Sequence, residues 1–171
     1  MISDDRIVLR AWAQPDLAAL GKLRNDLTLQ EMLMSQPRPN SADRVQDWLA
    51  EKSGRDDGVF FVIAERESDR VLGYAQVVNM NTMHGTGELG ICIGPDVQGS
   101  GYGAAAMALL EDYLRRVFSL RKLLLHVFAD NRGAVKFYLK LGFDEVGRMK
   151  DHFLNNGEYR DVVIMEKLFA Q

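Results

Sequence analysis

The sequence predicts one mixed α/β domain: a mostly antiparallel sheet of about seven strands with helices on both faces. Three observations carry that expectation. Seven runs read as strands, a glycine-rich segment joins a strand directly to a long amphipathic helix, and a second strand-helix unit follows at once.

Arg6 to Ala11 alternates apolar and polar residues like a first strand. Pro15 then suits the first turn of a helix running to about Asn25. Thr28 to Asn40, with its methionines, Pro37 and Pro39, reads as a loop, and Ser41 is placed to cap an amphipathic helix through Trp48. Val59 to Glu65 and Val71 to Asn79 form a hairpin around the polar turn Arg66 to Arg70. Glu88 to Ile93 is the next strand. Gly99 to Gly103 leads from it into a helix whose apolar side carries Met107, Leu110, Leu114, Val117 and Phe118.

Lys122 to Ala129 reads as a buried strand. Asn131 opens a short helix that stops near Gly142, where glycine takes the left-handed conformation. Phe143 to Phe153 and Glu158 to Phe169 close the chain as strands around the turn Asn155-Asn156-Gly157. With no repeat, linker or low-complexity segment, residues 1–171 are expected to form a single domain.

Composition narrows the function. The formal net charge of -3 lacks the basic excess that nucleic-acid binding requires, and a mildly acidic surface attracts cations such as amines. One cysteine, Cys92, excludes an intramolecular disulfide, and no charged segment followed by an apolar one opens the chain. The longest apolar stretch, Ala104 to Leu110, is far below the ~20 residues of a membrane span. A cytoplasmic protein with neither nucleic-acid nor membrane partner is the expectation. His84, His126 and His152 are widely separated and no metal-ligand spacing is visible, so no metal is expected.

Gln98-Gly99-Ser100-Gly101-Tyr102-Gly103 follows a strand and opens a helix, so backbone N–H groups can converge on an anion without side chains in the way. A glycine-rich turn that merely lets strand and helix pack has the same composition. Gly99, Gly101 and Ala104 also satisfy the dinucleotide pattern G-x-G-x-x-A, with Asp130 ending the next strand where a ribose-binding acid would sit. That pattern normally starts several parallel strand-helix-strand units, whereas antiparallel strands precede this loop.

Gln98 to Gly103 resembles the coenzyme A signature Q/R-x-x-G-x-G/A of the GCN5-related N-acetyltransferases (GNAT superfamily), and the predicted element order is similar to theirs over nearly the whole chain. Asn131-x-x-Ala134-x-x-x-Tyr138 followed by Lys140-Leu141-Gly142-Phe143 resembles the family's second acetyl-coenzyme A segment. The resemblance implies acetyl-coenzyme A as co-substrate and an N-acetyltransferase acting by direct attack of a primary amine in a ternary complex. It places backbone groups of Ile91, Cys92 and Ile93 on the pantetheine arm, amides of Gly99, Ser100, Gly101, Tyr102, Gly103 and Ala104 on the pyrophosphate, and Asn131 on the cofactor's other side.

An alkylammonium has a pKa of about 10, so acyl transfer at neutral pH requires it to lose a proton. Glu88 matches an acidic position often used as base in the family, although a strand carboxylate in a cross-strand ion pair has the same address. His126, five residues before Asn131, is the second candidate base, and packing in the strand is its alternative role. Tyr138 matches the family's general-acid tyrosine, against an aromatic core residue beside Phe137. Cys92, between Ile91 and Ile93, has no nearby sequence partner to activate it as a nucleophile.

Acceptor recognition is expected from Arg24 to Trp48, Met80 to Gly87 and the closing hairpin. Arg24-Asn25-Asp26 and Gly157-Glu158-Tyr159-Arg160-Asp161 look similar to bacterial branches acting on protein N-termini, polyamines and nucleotide-linked amino sugars. Glu31, Asp43 and Glu158 offer a surface for a cationic acceptor, whether small molecule or peptide. A non-catalytic acetyl-coenzyme A sensor is the alternative from another class. The sheet edges and terminal hairpin leave a homodimer open.

Overall fold

A computed structural model describes residues 2–169. Its strands are β1 (Ile2–Ser3), β2 (Ile7–Arg10), β3 (Val59–Glu65), β4 (Val71–Asn81), β5 (Thr86–Ile93), β6 (Lys122–Phe128), β7 (Asp144–Asn155) and β8 (Glu158–Leu168). They form one eight-stranded sheet in the order β1-β2-β3-β4-β5-β6-β8-β7. Every pairing is antiparallel except β5 with β6. The strand beyond the expected seven is β1, whose two residues are too few to show a period-two pattern.

The helices are α1 (Leu17–Asn25), α2 (Leu27–Met32), α3 (Ala42–Ser53), α4 (Tyr102–Phe118) and α5 (Arg132–Lys140). The segment expected to be a loop begins with α2, which the Asp26 side chain caps by accepting from the Leu29 amide at 2.9 Å. Ser41 caps α3 as expected, through the Arg44 amide, and the helix runs on to Ser53. Asn131 caps α5, and Gly142 ends that unit at φ +86°.

Alternation in the central strands sends side chains to two cores. Leu123, Leu125 and Val127 of β6 join Met107, Leu110 and Leu114 of α4 on one face. Val62, Tyr74 and Cys92 join Leu20 of α1, Leu29 of α2 and Val45 and Leu49 of α3 on the other. Each large side chain fully buried this way contributes roughly 1.5–3 kcal/mol. On the second face Arg10 bonds Asp16 through both terminal nitrogens (2.7 and 2.9 Å) and Asp69 through Nε (2.8 Å). This inward-leaning guanidinium is therefore fully matched by carboxylates.

One topological feature positions the site. The parallel pairing of β5 with β6 covers only Thr86↔Lys122, Gly87↔Leu123 and Glu88↔Leu124, although β5 continues to Ile93 and β6 to Phe128. Beyond Glu88 the two central strands part, and a gap opens in the middle of the sheet.

Candidate active site

The first wall of the gap is the free edge of β5. The Gly94 amide donates to the Leu72 carbonyl at 2.8 Å, and β4 and β5 pair without a register shift from Gly73↔Ile93 to Val78↔Glu88. Because backbone groups alternate sides along a strand, those of Cys92 and Gly90 are spent on β4, and those of Ile91 and Ile93 face the gap. Ile91 and Ile93 thus suit the pairing expected of them. Cys92 does not, because its N–H and C=O belong to the β4 ladder and its side chain to the core.

Past Ile93 the chain makes a short 3-10 turn (Pro95–Val97) and enters α4 through two left-handed glycines, Gly99 (φ +79°) and Gly101 (φ +83°). The Gln98 side chain donates from Nε2 to the Ile93 carbonyl at 2.9 Å and ties the loop to β5. The first backbone bond into α4 is donated by Ala105, to Gly101, and no side chain caps the helix, so the amides of Tyr102, Gly103 and Ala104 have no intrahelical partner. Unsatisfied donors at the positive end of a seventeen-residue helix suit a pyrophosphate.

Two residues brace this loop. Arg6 donates to the Ser100 carbonyl at 2.7 Å and its guanidinium lies 4.8 Å from the Tyr102 ring centroid. The Tyr102 hydroxyl donates to Glu65 at 3.3 Å, so Tyr102 offers an anion its amide alone. Sequence reading did not single out Arg6, because ninety-four positions separate it from the carbonyl it holds. A β-branched side chain at Gly101 is strained at this φ by roughly 1–2 kcal/mol. Gly101→Val should therefore weaken coenzyme A binding about ten-fold or more, measured by calorimetry, with the rest of the fold intact by circular dichroism.

The two candidate bases meet. Glu88 Oε1 lies 3.1 Å from His126 Nδ1, while Oε2 accepts from Asn79 Nδ2 at 3.0 Å. Glu88 pairs with Leu124 across β5 and β6, and His126 stands two residues further along β6 on the same face. The contact therefore sits where the strands part. A register shift in β4 between Val78 and Asn81, with Asn79 at φ +52°, brings the Asn79 amide to Glu88. In the tautomer that carries its proton on Nδ1, a neutral imidazole here donates to Glu88 and leaves Nε2 as the acceptor. Asn79 was missed, and an asparagine at the end of a strand run was its one signal.

Tyr138 lies on the other side of the sheet, on α5. It packs against Phe137 (5.2 Å between ring centroids) and Phe143 (5.6 Å), and its hydroxyl has no hydrogen-bond partner among the described residues. Burial pushes its phenol up to about 12, so it stays protonated at neutral pH as an acid requires. Asn131 is engaged structurally: Oδ1 accepts from the Ala134 amide at 3.2 Å, and Nδ2 lies 3.7 Å from Met32 Sδ. Its expected contact with the cofactor would have to share a side chain already used as a helix cap.

Burial also pushes the Cys92 thiol up to about 12, so no thiolate is available for a covalent intermediate. The folded thiol titrates later than the unfolded one, near 9. The stability this contributes is therefore complete below about pH 9 and is lost as pH rises towards 12, by about 1.4 kcal/mol per pH unit. A melting temperature that falls above pH 9, with a shallower fall for Cys92→Ala, is the expected result, and Cys92 should react with a thiol reagent only on unfolding.

On the helix side of β4 and β5 a cavity of ≈ 320 Å³ adjoins the gap, lined among others by Arg24, Gln30, Trp48, Tyr74, Gln76 and Gly90. Among the described residues no group of three His, Cys, Asp or Glu side chains converges to hold a metal ion, and no helix is long and apolar enough to cross a membrane. Asp130, which the dinucleotide pattern would place on a ribose, is bonded to Arg160 (3.1 Å to Nε).

The acetyltransferase (GNAT) domain, as a family model, matches residues 6–144. The chain belongs to the GNAT acetyltransferase family. This GNAT protein is an N-acetyltransferase with acetyl-coenzyme A as its co-substrate. It is 30% identical over 165 residues to spermidine N(1)-acetyltransferase of Escherichia coli K12, covering 96% of this chain and 87% of the relative. The crystal structure of spermidine N-acetyltransferase from Vibrio cholerae, in complex with coenzyme A and spermine, superposes at TM-score 0.87 with 28% identity, covering 96% of each chain. A dodecameric structure of the same Vibrio enzyme superposes at TM-score 0.80 with 28% identity, covering 96% of this chain and 95% of that one.

Proposed function

We propose that this acetyltransferase moves the acetyl group of acetyl-coenzyme A directly onto an aliphatic primary amine, with His126 and Glu88 taking the ammonium proton and Tyr138 protonating the leaving thiolate. The observation that carries this reading is the Glu88–His126 contact (3.1 Å) at the point where β5 and β6 part. The pantetheine arm lies along Ile91 and Ile93, the pyrophosphate on the amides of Tyr102, Gly103 and Ala104, and Arg6 and Gln98 hold that loop in shape.

His126 Nε2 accepts a proton from the ammonium, and the amine nitrogen attacks the thioester carbon. The new C–N bond forms as the C–S bond breaks, and the phenol of Tyr138 gives its proton to sulfur. The attacking nitrogen loses its second proton to solvent as the amide forms, while solvent returns a proton to Tyr138, so that each transfer releases one proton net. Holding amine and thioester together contributes several kcal/mol beyond the acid and base. The relatives' names support spermidine and spermine as first acceptors to test. The dodecameric relative supports self-association of this chain, for which the exposed Val146, Leu154 and Tyr159 of β7 and β8 offer apolar surface.

The test is thiol release from acetyl-coenzyme A with a panel of polyamines, amino acids, peptide N-termini and amino sugars. Amine-dependent release with a matching acetylated product is the expected result. Tight coenzyme A binding without release from any acceptor would favour a sensor.

A further inference from the structure

Arg24 lines the cavity beside β5, and among the described residues it forms no ion pair. Its guanidinium is 4.5 Å from the Trp48 ring centroid, and Nη1 donates to Gln30 Oε1 at 3.2 Å. Gln30 is 2% exposed and held in turn, donating to the Leu23 carbonyl at 2.9 Å and accepting from Ser35 at 3.0 Å. The cation is thus fixed by an aromatic face and a neutral amide. Among the described residues no carboxylate pairs with it, and its Nε is buried without a partner.

Neither of the acids nearby, Asp26 and Glu51, forms an ion pair with Arg24. Asp26 caps α2 through the Leu29 amide (2.9 Å), and Glu51 on the cavity wall pairs with its neighbour Lys52 at 3.5 Å. Arg10 marks the contrast, since the fold surrounds it with Asp16 and Asp69. A partly buried guanidinium without an anion carries a desolvation cost that an incoming anion removes. Across the same cavity Gln76 Oε1 is a buried acceptor without a donor.

We infer that the acceptor carries a carboxylate as well as the amine, that Arg24 receives the carboxylate, and that the enzyme prefers amino-acid-like acceptors over polyamines. This rests on the transferase reading above. The lining charges of Arg24, Lys52 and Glu51 sum to one positive charge, which repels a polycation and matches an anion. A guanidinium meets a carboxylate through two parallel bonds, and a cavity of ≈ 320 Å³ suits a small molecule.

The test compares acceptors that differ only in the carboxylate: L-lysine against cadaverine and L-ornithine against putrescine, followed by thiol release. The wild-type enzyme should favour the amino acid in kcat/KM by about ten-fold or more in each pair. Arg24→Gln should remove that preference by raising KM for the amino acids with kcat little changed, leaving the diamines unaffected or improved. Arg24→Lys should retain part of it, and melting curves for both variants report folding, since Arg24 packs on Trp48. Diamines equal to or better than amino acids in the wild type, or an unchanged ratio in Arg24→Gln, would overturn the inference. A preference for L-lysinamide over L-lysine would overturn the carboxylate in favour of a peptide N-terminus. Absence of thiol release with every acceptor would remove the transferase reading itself.

Discussion

Glu88→Gln is expected to lower kcat/KM for acetyl transfer by about 10²-fold or more while leaving the affinity for acetyl-coenzyme A unchanged. In the proposed mechanism the Glu88 carboxylate, held by Asn79, keeps His126 in the orientation and tautomer that present Nε2 to the ammonium. An amide at this position keeps the shape but can donate to Nδ1, which turns the imidazole to the wrong tautomer. His126→Gln should cost about as much, because it removes the acceptor itself. The double variant should be little worse than either single one, since groups that act as a unit are not additive. Additive losses, or a Glu88→Gln enzyme of near-normal rate, would show that water alone carries the proton.

The second large effect is on the leaving group. Tyr138→Phe should lower kcat by about 10²-fold with KM for acetyl-coenzyme A nearly constant, because the ring remains packed against Phe137 and Phe143. The direction of the phenol's shift adds a pH signature. With its phenol pushed up to about 12, Tyr138 stays protonated across the working range, so the wild-type rate should not fall on the alkaline side before about pH 11 through loss of this proton. The variant should show the same profile shape at a lower level. A Phe variant within two-fold of wild type would assign sulfur protonation to solvent.

Local patterns in the sequence were sufficient for most of the fold. Ser41 capping α3, glycines opening α4 and the Asn156-Gly157 turn between β7 and β8 are short-range signals, and each is realised with the expected geometry. Helix α2 was hidden because six residues are too few for a helical period and Met32, Met34 and Pro37 read as loop. The candidate site was legible as a list of residues and not as an arrangement. Glu88 and His126 stood as rival bases, and only the brief parallel pairing of β5 with β6 makes them one pair across thirty-eight positions. Nor could spacing along the chain tell that Cys92 turns its backbone to β4, that Arg6 braces the anion loop, or that Arg24 lies on Trp48 with no acid beside it.

Direct transfer is tested most simply by mixing the enzyme with acetyl-coenzyme A, with and without amine, and following thiol release together with the mass of both protein and amine. Release that requires the amine, with one acetylamine formed per thiol and an unmodified protein, is the predicted result. Release without amine, accompanied by an acetyl group on Cys92, would contradict it, because a buried thiol held up to about 12 cannot serve as the carrier.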